Sequence, residues 1–183
     1  SGSLGNRSER MEIFSVYGIP SFDVPLHRPS RFVAHPPIVS PDEAAYQEIL
    51  LNRLVTEAHR PVILLVLTIA ECFCLKTLME SDKRFGEGRL IQIYNERQLE
   101  DKSCILNRAG MAGVVTITTH IGGRGTDYRL KPETAAIGFL LLYLFFPDNS
   151  RVETQGFGRV ARQGEPGEGQ YLLHPKSPGV PKF

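Results

Sequence analysis

The sequence predicts an α/β domain with a mainly parallel central sheet that is covered by helices on both faces. Short apolar segments alternate with helical patterns along residues 62–173, and the segments at 62–67 and 136–146 are nearly continuous apolar runs. Strands that are buried on both faces of a parallel sheet have this composition. The length of 183 residues, with 42% hydrophobic and 22% charged side chains, is typical of a globular domain with a core of its own.

Five strands and two helices follow from this pattern. We predict strands at residues 62–67, 89–94, 113–118, 136–146 and 169–173, and helices at residues 70–81 and 95–109. Asn95 can cap the second helix, and residues 113–118 are placed in the interior of the sheet. The run AAIGFLLLYLFF at 135–146 is far shorter than the roughly 20 apolar residues that span a bilayer. We therefore predict a buried strand there and no membrane span.

Residues 11–41 contain six prolines and are predicted to be extended, because proline fixes its own φ and moves its predecessor toward β geometry. A helix follows, with Ser40 as its cap, Pro41 at the first helical position and acidic side chains at the positive end of its dipole. The apolar stripe of this helix is predicted to enter the core: Tyr46, Ile49, Leu50, Leu54 and Ala58.

The chain is predicted to divide into four segments. Residues 1–10 are a tag or a disordered segment, and residues 11–60 are an extended proline-rich entry segment plus the capped helix. Residues 61–174 form the main α/β domain, and residues 175–183 are a frayed, proline-rich tail.

The amino-acid composition gives little support to nucleic-acid binding or to metal binding. The net charge of +1, without a basic stripe interleaved with aromatic residues, gives no strong signal for nucleic-acid binding. The three cysteines, Cys72, Cys74 and Cys104, match no metal-ligand spacing, so we expect free and mostly buried thiols. No metal site is predicted.

Residues 118–127 are a β-type run that ends in a glycine-rich turn, GGRGTD. Glycine lets the backbone approach another surface closely, and ligands of parallel α/β sheets collect at the carboxyl ends of strands. Gly123, Arg124, Gly125 and Asp127 are therefore candidates for binding a nucleotide. The alternative is a tight connection in which Asp127 caps a neighbouring backbone or pairs with Arg124.

Residues 155–167, QGFGRVARQGEPG, carry Arg159 and Arg162 three positions apart. If the segment is helical, both guanidinium groups emerge from one face. Their forked donors suit phosphate oxygens. The alternative is a solvated helix face, where most arginines are found.

Both motifs resemble those of SecA, the ATPase of bacterial preprotein translocation in the DEAD-like helicase superfamily. THIGGRGTD resembles the family's TNMAGRGTD, and QGFGRVARQGEPG resembles QLRGRAGRQGDPG. The entry segment EIFSVYGIPSFDVPLHRPSRFVAHPP is similar to EFREIYGLDVVVIPTNRPVIRKDHPD. The resemblance extends over roughly residues 12–173 and implies a RecA-like, P-loop NTPase type, three-layer domain, the second of the two in the SecA motor.

The resemblance also implies roles for the motif residues. Arg159 and Arg162 would be catalytic arginine fingers, and five residues would bind nucleotide: Gly123, Arg124, Gly125, Asp127 and Gln155. The sequence contains no G-x-x-x-x-G-K-[ST] loop to hold the β- and γ-phosphates. We therefore expect ATP and Mg²⁺ only in the full-length protein, none bound by this fragment, and no ATP hydrolysis by the isolated chain.

The expected partner is the first nucleotide-binding domain of the same parent chain. A polypeptide client is compatible with the resemblance, and the implied location is cytoplasmic, including the periphery of a membrane translocon. The sequence departs from the family where Val160-Ala161 replaces Ala-Gly and where LHVIGTERHESRRID becomes FLLLYLFFPDNSRVE. Two other hypotheses therefore stay open: a non-catalytic interaction module with a helicase C-terminal fold, and half of a nucleic-acid remodelling helicase.

Overall fold

The computed structural model describes residues 6–25, 27–85, 89–95, 97, 101–120, 122 and 126–177. Its helices are α1 (Arg7–Tyr17), α2 (Glu43–Thr56), α3 (Ile69–Ser81), α4 (Lys102–Ala109) and α5 (Ser150–Phe157). Short 3-10 turns lie at Lys83–Phe85 and Arg162–Gly164. The strands are β1 (Arg31–Ala34), β2 (Ile38–Val39), β3 (Val62–Leu65), β4 (Ile91–Tyr94), β5 (Val115–Thr118), β6 (Phe139–Tyr143) and β7 (Pro166–Leu173).

The strands that the structure describes form one parallel sheet of seven, in the order β1-β7-β6-β3-β5-β4, with β2 also pairing with β7. Strand β5 lies between β3 and β4, in the interior, as the sequence predicts. The apolar run at 135–146 contains the buried strand β6. The predicted parallel α/β fold is confirmed, and β1 and β2 of the entry segment belong to the same sheet.

Side chains alternate across β3 and thereby build two core layers. Val62 and Leu64 pack in the layer of α2 and α3, whereas Ile63 and Leu65 pack in the layer of α4 and α5. All four side chains are at most 2% exposed. Burial of each such side chain favours folding by about 1.5–3 kcal/mol, so this central strand holds the three layers together.

The amino-terminal segment differs from the prediction. Residues 7–17 form helix α1, so the expectations of disorder for residues 7–10 and of an extended chain for residues 11–17 are wrong. A capping box starts the helix: Asn6 Oδ1 accepts from Glu9 N at 3.1 Å, and Glu9 Oε2 accepts from Asn6 N at 2.7 Å. The helix ends at Gly18, whose φ of 64° is left-handed. The first proline is Pro20, so the prolines restrict the backbone only after this helix has ended.

Two predicted helix caps are also wrong. Helix α2 is capped by Asp42, whose Oδ1 accepts from Ala45 N at 2.8 Å. Ser40 Oγ donates instead to the carbonyl of Leu173, at 3.3 Å, at the end of β7. Helix α4 begins at Lys102 with Asp101 as its cap, and Asn95 accepts from Arg97 N. Residues 96 and 98–100 of the predicted helix lie outside the described residues.

The thiols and the carboxyl-terminal tail need smaller corrections. Cys72 is buried, but Cys74 and Cys104 are exposed, so the expectation of mostly buried thiols is wrong. Residues 175–177 are ordered by a turn in which His174 N donates to Ser177 Oγ at 2.9 Å. That part of the tail is not frayed, and residues 178–183 lie outside the description.

A buried arginine holds the amino-terminal ends of the strands. Arg60 precedes β3, and its Nε donates to Gly138 O at 3.1 Å while its Nη2 donates to Phe139 O at 3.0 Å. Its Nη1 lies 2.7 Å from a carboxylate oxygen of Glu168 in β7. His35 Nε2, after β1, lies 2.8 Å from the other oxygen. Arg60 therefore ties together the amino-terminal ends of β3 and β6 and the first half of β7, and Glu168 extends this network to the residue that follows β1.

Candidate functional site

Thr119, His120 and Gly122 follow β5 at the carboxyl end of the sheet. A Cβ on Gly122 would lie 2.2 Å from Thr118 Oγ1 and 2.6 Å from the Tyr128 hydroxyl, so this close packing requires glycine. The chain then crosses the α4/α5 face of the sheet, where the buried ring of Tyr128 meets that of Phe139 edge-on at 6.1 Å. This crossing places Asp127 on that face.

Helix α5 is held against the same face by Tyr143. Asn149 caps the helix by accepting from Val152 N at 3.0 Å, and the Tyr143 hydroxyl donates to the Val152 carbonyl at 2.8 Å. A Cβ on Gly156 would lie 1.8 Å from the Tyr143 hydroxyl. Glycine at that position therefore lets α5 approach the sheet.

The two candidate arginines lie beyond the end of α5, in residues 158–164, which we name the arginine loop. The premise that one helix face presents both side chains is therefore wrong. Ala161 (φ 57°) and Gln163 (φ 55°) are left-handed, a conformation that costs a non-glycine residue about 1–2 kcal/mol. A Cβ on Gly167 would lie 2.5 Å from Ala161 N, so the loop rests on the start of β7.

Arg159 joins the two motifs through backbone carbonyls. Its Nε donates to Gln155 O at 3.1 Å, and its Nη1 donates to Thr126 O at 2.8 Å. Val160, 3% exposed, anchors the next position in the core. The guanidinium group is therefore fixed between α5 and the last residues of the GGRGTD motif.

Asp127 holds two further cations at the rim of the site. Its Oδ1 accepts from Arg162 Nη1 at 2.5 Å, and its Oδ2 accepts from Arg129 Nε at 2.9 Å. The side chains of Arg162 and Asp127 are 38% and 51% exposed. Exposed ion pairs of this kind contribute at most about 1 kcal/mol, so Arg162 can exchange this carboxylate for another anion at small cost.

The cations dominate the electrostatics of the site. The hydrogen bond from Arg129 is the main reason that the pKa of Asp127 lies below its ordinary value. Partial desolvation opposes this shift, while the charges of Arg162, Arg129 and Arg159 lower the pKa further. Burial, followed by the charge of Arg162, lowers the pKa of the Arg159 guanidinium. Arginine nevertheless stays charged at neutral pH, so the site carries more positive than negative charge.

The structure brings four of the predicted residues together: Asp127, Gln155, Arg159 and Arg162. Gly123, Arg124 and Gly125 lie outside the described residues. Sequence reasoning missed Thr126, because this residue takes part through its backbone carbonyl. The type of side chain does not indicate which backbone carbonyls accept a hydrogen bond. Sequence reasoning also missed Arg129, although the acidic side chain of Asp127 two positions earlier could have indicated a cation paired with it. Among the residues that the structure describes, no group of three or more histidines, cysteines or carboxylates converges.

A comparison with known protein families decides the family. The profile of the SecA P-loop domain matches residues 41–139, which is more than half of the chain. The chain belongs to the SecA family. The matched region runs from α2 to the start of β6 and includes the glycine-rich turn.

Individual SecA proteins agree with this assignment. Protein translocase subunit SecA 2 of Magnetococcus marinus is 31% identical over 178 residues, which are 94% of this chain and 26% of the relative. Protein translocase subunit SecA of Caldicellulosiruptor saccharolyticus is 29% identical over 171 residues, 91% of this chain and 20% of the relative. The chain thus spans about a quarter or less of the length of these curated relatives.

Solved structures confirm the RecA-like helicase fold. Saccharomyces cerevisiae Dbp5, in a structure bound to RNA and ADP BeF3, superposes with a TM-score of 0.64 at 15% identity. The match covers 92% of this chain and 43% of that one. At this identity the likeness concerns the fold alone. Within the described residues, no helix is long and apolar enough to cross a bilayer.

Proposed function

We propose that this chain is the second motor domain of a SecA-like, ATP-driven protein translocase. In this proposal Arg159 and Arg162 are arginine fingers for an ATP site that the first nucleotide-binding domain of the same parent chain completes. One observation carries the proposal: Arg159 and Arg162 reach Thr126 and Asp127, 33 and 35 residues away, so that the two motifs form one cationic site.

The described contacts give the two arginines different parts in this proposal. Arg159 is held by two carbonyls, so its charge is placed before a ligand arrives, as electrostatic stabilisation of a transition state requires. Arg162 would exchange the exposed carboxylate of Asp127 for a phosphate oxygen. The forked donors of guanidinium suit such oxygens. The guanidinium groups of Arg159 and Arg162 are donors, which fits phosphate, and the proposal assigns Mg²⁺ to the first domain.

The remaining functional assignments belong to the same proposal. Gly123, Arg124, Gly125 and Gln155 would contribute to nucleotide binding beside Asp127, and ATP with Mg²⁺ would bind only in the full-length protein. The relatives are translocase subunits, which supports a polypeptide as the client and a cytoplasmic location, including the periphery of a translocon.

Single-turnover ATP hydrolysis by the parent protein tests the arginines. Arg159→Ala and Arg162→Ala should each lower the rate by about 10³ to 10⁵, the usual effect of losing an arginine finger. ATP affinity should fall far less, because the first domain holds most of the nucleotide. Lysine at either position should restore activity incompletely, because it lacks the planar fork. Gln155→Ala should cause a smaller loss.

Arg31→Ala is the matched control, since Arg31 is exposed on β1 and belongs to neither motif. If both arginine variants of the parent protein hydrolyse ATP at the rate of the control variant, the proposal is contradicted. A parent without any turnover would favour the interaction module instead.

Calorimetric titration of the isolated chain with ATP and Mg²⁺ should show no binding tighter than about 1 mM, and micromolar binding would contradict the division of the site between two domains.

A further inference from the structure

A cavity of about 560 Å³ lies between the arginine loop and the entry segment. Phe32 of β1 and Phe157 of α5 form its floor, with ring centroids 5.3 Å apart. The two rings pack over β7, where a Cβ on Gly169 would lie 2.4 Å from the Phe157 ring and 2.7 Å from the Phe32 ring. The volume lies in the usual range for small-molecule sites, about 300–1,000 Å³.

The rim of the cavity is cationic. Arg28 and Arg162 line it from opposite segments of the chain. Arg28 Nη1 donates to the carbonyl of Gln163 at 3.3 Å, an acceptor that does not neutralise its charge. Glu153 also lines the cavity and accepts a hydrogen bond from the Tyr171 hydroxyl at 2.7 Å, so its carboxylate offsets part of the positive charge of the two arginines. An aromatic floor beneath two guanidinium groups is complementary to a ligand with an apolar body and one anionic group.

We propose that this cavity binds a small amphipathic anion, with an aromatic or alicyclic body on Phe32 and Phe157 and a carboxylate, sulfonate or phosphate group against Arg28. Such a ligand contacts both the entry segment and the arginine loop, since Ala161, Arg162, Gln163 and Gly164 form one wall. It would therefore fix the loop that carries Arg162. The proposal is independent of the proposed ATPase function, because it requires only this cavity and its charges.

Binding to the 183-residue chain can be measured by protein NMR with three probes of one shape: naphthalenesulfonate, neutral naphthalenemethanol and cationic naphthylmethylammonium. The sulfonate should bind saturably and at least about tenfold more tightly than the other two, because a hydrogen bond to a charged group is worth that factor or more. Its chemical-shift changes should lie in residues 28–32 and 154–164. Equal affinity of the three probes, or changes elsewhere, would overturn the proposal.

Variants separate this site from adventitious binding. Arg28→Gln should weaken the sulfonate about tenfold, and Arg31→Gln, at an exposed residue of β1 that does not line the cavity, should leave it unchanged. Thr154→Trp places bulk on an exposed position of α5 that lines the cavity and should abolish binding. The control Gln47→Trp lies at a separate, smaller cavity and should not. Sulfonate affinity unchanged in both Arg28→Gln and Thr154→Trp would overturn the proposal.

Competition with ATP distinguishes the cavity from the proposed nucleotide site. ATP at about 0.1 mM should not displace the sulfonate from the isolated chain, because this chain is expected to bind ATP no more tightly than about 1 mM. Competitive displacement would show that the cavity is part of a nucleotide site, and would overturn the proposal of a separate ligand. Arginine-finger activity in the parent protein is a different measurement, so either proposal can fail alone.

Discussion

Arg60 and Arg162 each bind a carboxylate, but they lie in opposite surroundings. Arg60 is 3% exposed, and its donors reach three backbone carbonyls as well as Glu168. Arg162 is 38% exposed and contacts Asp127, which is 51% exposed. A buried guanidinium that satisfies the ends of several strands is part of the fold. A half-exposed one on a loop, with a carboxylate that is easily exchanged, is available to a ligand.

The largest expected effect on stability comes from Arg60→Met. Removing the buried cation leaves the carbonyls of Gly138 and Phe139 without the arginine donor and leaves Glu168 with His35 alone, so the free energy of unfolding should fall by about 3 kcal/mol. Urea denaturation of the isolated chain measures this loss. Arg162→Ala should cost less than about 1 kcal/mol in the same experiment. Equal losses in the two variants would break the comparison.

A smaller effect of opposite sign is expected in the arginine loop. Ala161 has a left-handed φ of 57°, so Ala161→Gly should raise the free energy of unfolding by up to about 1 kcal/mol after the entropy cost of glycine. Ala45→Gly, inside α2, is the control and should lower it by about 0.5–1 kcal/mol. If both substitutions destabilise the chain alike, Ala161 is not strained.

The smallest expected effect is the loss of stability at acidic pH. Burial by itself would raise the pKa of Glu168, but hydrogen bonds from Arg60 and His35, together with their charges, hold it below its ordinary value of 4.5. The unfolded chain then binds a proton more readily than the folded chain. The resulting stability is present at neutral pH and is lost as the pH falls below about 4.5 and through the lowered folded pKa.

Glu168→Gln should remove this part of the acid dependence. The pH-dependent part of the free energy of unfolding that the substitution removes should be below about 1 kcal/mol, because the Glu168 side chain is 28% exposed. The check is urea denaturation of both proteins at a series of acidic pH values. Parallel stability curves for the variant and the unsubstituted chain would show that the contacts of Glu168 carry no pH-dependent stability.

The sheet could be predicted because its strands carry their own signal. Strands such as β3 and β6 are buried on both faces, and this makes them continuous apolar runs. Helix α1 had a signal too, the capping pair Asn6 and Glu9, which the prolines after Pro20 obscured. The importance of Arg60 had no local signal, since its partners Gly138 and Glu168 are 78 and 108 residues away.

The site was predicted from motif residues, but its geometry was not. The spacing of Arg159 and Arg162 suggested one helix face, whereas the segment turns left-handed at Ala161 and Gln163, which are not glycines. This conformation depends on packing against Gly167, a tertiary contact that no local pattern encodes. The roles of the site residues in nucleotide binding and catalysis stay predictions.

The central claim is that Arg162 serves a ligand and Arg60 serves the fold. Its most direct test is the single-turnover rate of ATP hydrolysis by the parent protein carrying Arg162→Ala, beside the exposed control Arg31→Ala. We expect a rate about 10³ to 10⁵ lower than that of the control, in a protein that unfolds at the same denaturant concentration. A parent with robust hydrolysis in which Arg162→Ala matches the control would contradict the claim.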